Sequence, residues 1–210
     1  MSRLAGMLPA WSRNRLTRYG FGRRLRNRTY GGPLLDGPAP GELRAVVYLA
    51  TWAGWDVMVQ RPQYVLAEFA RRGHPVYFVD PREPEPRREG NVHIVPRLEQ
   101  VPYEGVILYV HYAPVEAQFF LFDEPAILYD ITDDLSIYAE HEGDTVIETA
   151  QLHHDSVVAE ADVVAAASPG LAARYRPGRP AVGLAPNGGV PERFGTPQPR
   201  RGGLPADGRP

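Results

Sequence analysis

Acidic, aromatic and guanidinium groups are the side chains with most to offer chemistry here, and they gather in two stretches. The first is ATWAGWDVMVQRPQ, residues 50–63, which sets Trp52, Trp55, Asp56, Arg61 and Gln63 around Gly54. Tryptophan rings stack on sugar rings, and glycine lets a backbone approach a ligand closely. Arg61 would add its charge to helix-start amides that already favour an anion. The competing reading puts the tryptophans in the core and pairs Arg61 with Asp56. The second stretch is YDITDD, with Asp130, Asp133 and Asp134. Carboxylates so grouped can bind hydroxyls, hold a cation or accept a proton; they can equally be loop and helix-start acids.

Several chemistries are excluded by spacing. The first stretch lacks the Gly-x-Gly-x-x-Gly of a dinucleotide site and the lysine of a phosphate loop. The acids run Asp-x-x-Asp-Asp, not the Asp-x-Asp of metal-dependent sugar transferases, and a receiver domain's acidic pair depends on a lysine. His153 and His154 are adjacent, whereas a zinc pair on one helix face needs a spacing of three or four; both read as surface or partly packed. His111 stands at a strand mouth and divides evenly between a functional and a structural role. His74 reads as a connector.

Positioning these groups requires a rhythm that begins at Leu43. LRAVVYLAT reads as a buried strand and RPQYVLAEFARRG as a helix, with Pro62 at its start, Val65, Leu66 and Phe69 on one face, and Gly73 where a C-terminal cap belongs. PVYFVD, NVHIVP and GVILYVHY read as strands two to four. A helix through Val115–Phe122 precedes PAILYDITDD, the fifth strand. A helix follows from Asp144, with Thr145 and Glu148 spaced as a capping box. VVAAAS is the sixth strand, Ser168-Pro169 opens a short helix to Tyr175, and AVGLAP is the seventh strand. Continuous apolar runs mean strands buried on both faces. Their alternation with helices predicts an α/β parallel sheet with helices on both faces. Ligands then belong at the C-terminal strand ends, near Thr51–Gln63, Asp80–Arg82, His111–Pro114 and Asp130–Asp134.

Composition bounds the rest. All 23 basic residues are arginine and cysteine is absent, which removes lysine chemistry, disulfides and thiolate sites. The net charge of −2 hides an asymmetry: residues 1–35 hold eight arginines and no acid. Residues 1–42 read as a basic Arg/Gly-rich tail, disordered on composition, with contact to an anionic membrane face as the sharper reading. No ordered aromatic-basic platform for nucleic acid is evident. GVILYVHYAPVEAQFFLF, residues 105–122, is interrupted by His111, Pro114, Glu116 and Gln118 and suits a strand and helix better than a membrane span. The start is too short in apolar residues for a secretory signal, so the expected location is cytoplasmic, with peripheral contact at the inner membrane face.

The order of the pieces says more than any one of them. QRPQYVLAEFARRGHPVYFVDP resembles the first helix and second strand of GT-B glycosyltransferases, where Arg-Pro-Gln precedes a helix ending in Gly-His-x-Val. ILYDITDD looks like a central strand of that family's N-terminal domain, and EADVVAAASPGLAARY is similar to its Ala-Asp-x-Val…Ser-x-x-Leu segment. APNGGVPERF resembles the Pro-Asn-Gly-Val-x-x-x-x-Phe signature that closes the domain, here with an extra glycine and Pro191 where Asp is usual. The likeness spans Leu43 to Phe194, and its nearest flavour is family-four-like, retaining, bacterial cell-surface sugar transfer.

The resemblance implies a Rossmann-like domain over residues 43–194, the acceptor-side half of a GT-B enzyme, with residues 195–210 as a Pro/Gly-rich linker and the donor-binding domain absent. Implied with it is transfer of a sugar from a nucleotide-sugar donor to a glycan or lipid-linked acceptor in envelope polysaccharide or glycolipid synthesis. No obligatory metal or cofactor is implied, and no activity is expected from this half alone. Gly54, Trp55, Asp56, Arg61 and Gln63 would line the cleft, His111, Asp130, Asp133 and Asp134 would face the acceptor, and Asn187 and Gly188 would form the interdomain hinge. Two alternatives stay open: a stand-alone binding or regulatory domain, and a nucleotide-sugar epimerase on the same fold.

Overall fold

A computed structural model describes residues 42–51, 53–134, 144–177 and 181–188. The basic tail up to residue 41, Trp52 and the proposed linker lie outside these residues.

The apolar runs form strands β1 (Val46–Leu49), β2 (Val76–Val79), β4 (Val92–Val95), β5 (Ile107–Val110), β6 (Ala126–Ile131), β7 (Val163–Ala166) and β8 (Val182–Leu184), all parallel. An eighth, β3 (Arg87–Glu89), pairs antiparallel with β4 at the sheet edge. The sheet runs β3-β4-β2-β1-β5-β6-β7-β8. Setting β3 aside, the parallel strands follow the doubly wound Rossmann order with one strand added. Chain progression reverses between β1 and β5, so the crevice favoured for ligands opens beyond their C-terminal ends.

Side chains alternate across this sheet and feed two cores. Val46, Tyr48, Val76, Phe78, Ile94 and Tyr109 point to one face, where Leu66, Val65 and Phe69 of helix α1 (Arg61–Arg71) cover them. Val47, Leu49, Leu108, Ile127 and Tyr129 point to the other. There Val157 of helix α2 (Asp144–Glu160) and Leu171 of helix α3 (Pro169–Tyr175) join them. Helices therefore lie on both faces, and the central residues Val46 and Val47 are wholly buried.

Local signals explain the helix ends. Pro62, without an N–H, sits in the first turn of α1. After Arg72, Gly73 takes φ +95°, the left-handed region that favours glycine. Gly73 N donates to Ala70 O (3.0 Å) and His74 N to Phe69 O (3.1 Å), a Schellman closure. The His74 ring stands edge-on to Phe69 at 5.3 Å, completing its apolar contact. Ser168 caps α3 by accepting from Leu171 N at 3.2 Å.

Three details depart from expectation. Strand β3 has no apolar signal because its Arg-Arg-Glu run is a charged edge, which resists pairing with another chain. Residues Ala113–Leu121 form a 3₁₀ helix rather than an α-helix. Phe119 within it and Phe122 just beyond its end, where the backbone is extended, both enter the core. Helix α2 already begins at Asp144, one residue before the expected start at Thr145. No helix of the described residues is long and apolar enough to cross a membrane.

His154 is 2% exposed and joins three elements. Its Nδ1 is 2.8 Å from the Tyr129 hydroxyl on β6, and its Nε2 is 2.7 Å from the Tyr175 hydroxyl at the end of α3. A neutral imidazole matches one donor and one acceptor; the charged form has only donors, so a hydroxyl must turn. Burial pushes the pKa of His154 below its ordinary value, and those of His93 and His111 likewise. The unfolded chain therefore takes up these protons first. Stability should be full above about pH 6.5 and decline as the pH falls below it. Urea midpoints at pH 7.5 and pH 5 should differ in that sense, and His154→Asn should flatten the dependence.

Candidate functional site

The loop from β1 into α1 is held from the helix side. Gln63 is 4% exposed. Its Oε1 accepts from Gln60 N at 3.0 Å and its Nε2 donates to Gly54 O at 3.0 Å. One side chain thus satisfies a helix-start amide and anchors the loop. Gly54 does make a close approach, but to a carboxylate: a β-carbon there would lie 3.3 Å from Asp80 Oδ2. Asp80, 2% exposed at the end of β2, accepts from Arg82 through its backbone N (3.0 Å), Nε (2.7 Å) and Nη2 (3.0 Å). Between these anchors the loop tip presents Val57, Met58 and Val59 to solvent, with Met58 in the left-handed region at φ 51°.

Arg61, the first residue of α1, organises the crevice. Its Nε donates to Asp130 Oδ2 at 2.7 Å and its Nη2 to Asp130 Oδ1 at 2.8 Å. The same Nη2 reaches Ala185 O at 2.7 Å, and Nη1 reaches Asn187 Oδ1 at 3.1 Å. Four of the five guanidinium donors are engaged. Asp130 is 2% exposed and takes a third hydrogen bond from the Tyr109 hydroxyl at 2.6 Å. The bond to Asp130 raises the Arg61 pKa, and burial beside that carboxylate raises that of Tyr109, so both stay protonated. Both Asp130 oxygens are therefore already engaged, by Arg61 and Tyr109.

Trp55 and Asp56 turn away from Arg61. Trp55 packs edge-on against Phe78 at 5.4 Å and donates its Nε1 to Glu89 Oε2 at 2.9 Å. Asp56 pairs with Arg87 at 2.5 Å, and Arg87 also binds Glu83 and Glu89. The Asp56–Arg61 pair of the competing reading does not form; β3 takes Asp56 and the buried Asp130 takes Arg61. Trp55 lies half-buried, its ring edge occupied. Asp134 receives Arg174 Nη1 of α3 at 2.8 Å on both oxygens. Asp133 remains exposed, accepting from the Thr132 hydroxyl at 3.0 Å. Gly188 is exposed, with nothing within 4 Å of an added β-carbon.

His111, just beyond β5, has a buried Nδ1 without a hydrogen-bond partner among the described residues. Burial pushes its pKa down, opposed by the nearby Asp130. A neutral imidazole with an open nitrogen can accept a proton or a hydroxyl hydrogen bond. Sequence reasoning missed Tyr109, yet a signal existed. Tyr109 pairs with Leu128 in the parallel register, and Asp130, two residues on, shares that face. Among the described residues no group of three or more His, Asp or Glu could hold a metal ion.

The Arg61 network should dominate local stability. Arg61→Met leaves Asp130 buried without its cation and should lower the unfolding free energy by about 3–5 kcal/mol. The double variant Arg61→Met with Asp130→Leu should recover much of that loss. Asn187→Ala, at the exposed end, should cost about 0.5–1.5 kcal/mol at most. Urea unfolding of the four proteins checks the order.

No known family model matches the chain, and neither a curated protein nor a solved structure matches it.

Proposed function

We propose that this chain is the acceptor-side, Rossmann-like half of a GT-B glycosyltransferase. In this reading a sugar passes from a nucleotide-sugar to an acceptor hydroxyl once a donor-binding domain closes over the crevice. One observation carries it: three of the segments that resemble the family meet at one guanidinium. Arg61 of Arg-Pro-Gln binds Asp130 of the central acidic strand and, through Ala185 O and Asn187, the Pro-Asn-Gly segment. A hinge bound in this way would fix where a second domain departs relative to the crevice floor. Asp130, Arg61 and Gln63 hold the cleft, and the open Nδ1 of His111 receives a substrate hydroxyl.

The test compares residues 1–210 with the same chain joined to a GT-B donor-binding domain, each assayed against nucleotide-sugars with glycan and lipid acceptors. Transfer only by the joined protein is expected, because half a cleft cannot orient two substrates, a contribution of roughly 7–11 kcal/mol. Turnover by residues 1–210 alone overturns the half-enzyme reading; no gain on joining favours a binding domain. In the active form His111→Ala should lower kcat/KM about tenfold, as expected for one lost hydrogen bond of roughly 1.5 kcal/mol. Activity should hold at about pH 6.5, the ordinary imidazole value, and fall only at lower pH, because burial pushes the His111 pKa down.

The Arg-rich start belongs with the same reading, as a contact to the membrane that would carry a lipid-linked acceptor. Its attraction is electrostatic and screened over about 8 Å at physiological salt. Co-sedimentation with anionic vesicles should be weak, salt-sensitive and lost on deleting residues 1–42. Equal binding by both forms excludes the tail as the contact.

A further inference from the structure

The face of the sheet opposite α1 carries a second recess at the same C-terminal edge. It lies beyond β1, β2 and β4, against the 3₁₀ turn Leu98–Gln100 and the 3₁₀ helix Ala113–Leu121, and encloses about 410 Å³. That volume falls in the roughly 300–1,000 Å³ range of small-molecule pockets. Its floor is apolar, with Leu49, Val79 and Val115 all buried. Exposed Arg97, Glu99 and Gln118 also line it. Thr51 lines it as well, and its hydroxyl is buried with no hydrogen-bond partner among the described residues.

The 3₁₀ pitch has a consequence here. Val115, Gln118 and Leu121 all line the recess. Residues three apart eclipse on a 3₁₀ helix, so the three form one column along the wall. On an α-helix the same residues would step around the axis and leave it.

The polar groups select the ligand. A phosphate or carboxylate would gain Arg97 but meet the Glu99 carboxylate beside it. A wholly apolar ligand would leave the Thr51 hydroxyl without a partner, an unfavourable burial. Hydroxyl groups both donate and accept, so they suit Arg97, Glu99, Gln118 and Thr51 alike. A ring that carries hydroxyls at its rim and C–H bonds on its face would lay that face on the apolar floor. We propose that this recess is a binding site for a single neutral, hydroxylated ring, a pyranose unit or a cyclitol. The assignment goes beyond the transferase reading. It concerns binding without a donor, on the face opposite the Arg61 network, and stands whether or not the chain transfers sugar.

The experiment uses residues 1–210 and saturation-transfer NMR with a panel of methyl pyranosides of glucose, galactose, mannose and N-acetylglucosamine, together with myo-inositol. Glucose 6-phosphate and hexanol serve as the charged and apolar comparators. At least one neutral ring should bind, with saturation strongest on its ring C–H protons. Thr51→Val, which keeps the shape and removes the hydroxyl, should weaken binding at least fivefold. Leu121→Trp, which fills the recess, should abolish it. Gln118→Ala, at an exposed position that folding does not need, should weaken binding and serves as the deciding variant where Leu121→Trp fails to fold. Absence of binding by every neutral ring overturns the proposal. Binding indifferent to Thr51→Val and Gln118→Ala overturns it too, as does binding confined to glucose 6-phosphate or hexanol.

Discussion

Asp130 is a carboxylate almost removed from water at the centre of the crevice, and much around it follows from the need to compensate that charge. Desolvating a carboxylate is so unfavourable that its partners must be well placed and numerous. Arg61 supplies two parallel bonds and Tyr109 a third. A fork of this kind fixes direction as well as distance. It sets the first turn of α1 over β6, and the remaining guanidinium donors then reach Ala185 and Asn187. The helix start, two strands and the segment after β8 are thereby referenced to one charge.

With Arg61 and Asp130 bound to each other, the polar groups left without such a bond at the crevice are their neighbours. His111 keeps an open nitrogen, and Asp133 stays exposed. Trp55 and Asp56, close to Arg61 in sequence, serve the far edge of the sheet instead, where Glu89 and Arg87 hold them. The sheet therefore divides its C-terminal edge into two environments. The α1 face is ionic and centred on the Arg61–Asp130 pair, whereas the other is an apolar recess lined also by Thr51, Arg97, Glu99 and Gln118.

How much of this was legible in the sequence depended on whether the signal was local. Apolar runs such as AVVYL and AILYDI announced the parallel strands, and Gly73 and Ser168 announced helix ends, because each acts within a few residues. Strand β3 was illegible: Arg87, Arg88 and Glu89 carry no buried face, and only pairing with β4 makes them a strand. The partner of Arg61 was illegible for a different reason. Asp56 was near and Asp130 lay 69 residues away, and burial, which decides between them, is a property of the assembled sheet. Gln63 showed its helix-start position but not its bond to Gly54. The column of Val115, Gln118 and Leu121 was hidden because the same residues read equally well as an α-helix.

The reach of Arg61 also orders events during synthesis. Its contacts span 69 residues to Asp130 and 126 to Asn187. On a ribosome adding about 5–20 residues per second, the second partner emerges roughly 3–11 s after the first. In that interval α1, β1 and β6 can already pack, but two guanidinium donors face water and the strand edge that will receive β8 is open. An unpaired edge is a template for another chain's strand. The β7 edge of the nascent chain is thus unpaired until β8 emerges and covers it, and the arrival of Asn187 then completes the Arg61 contacts.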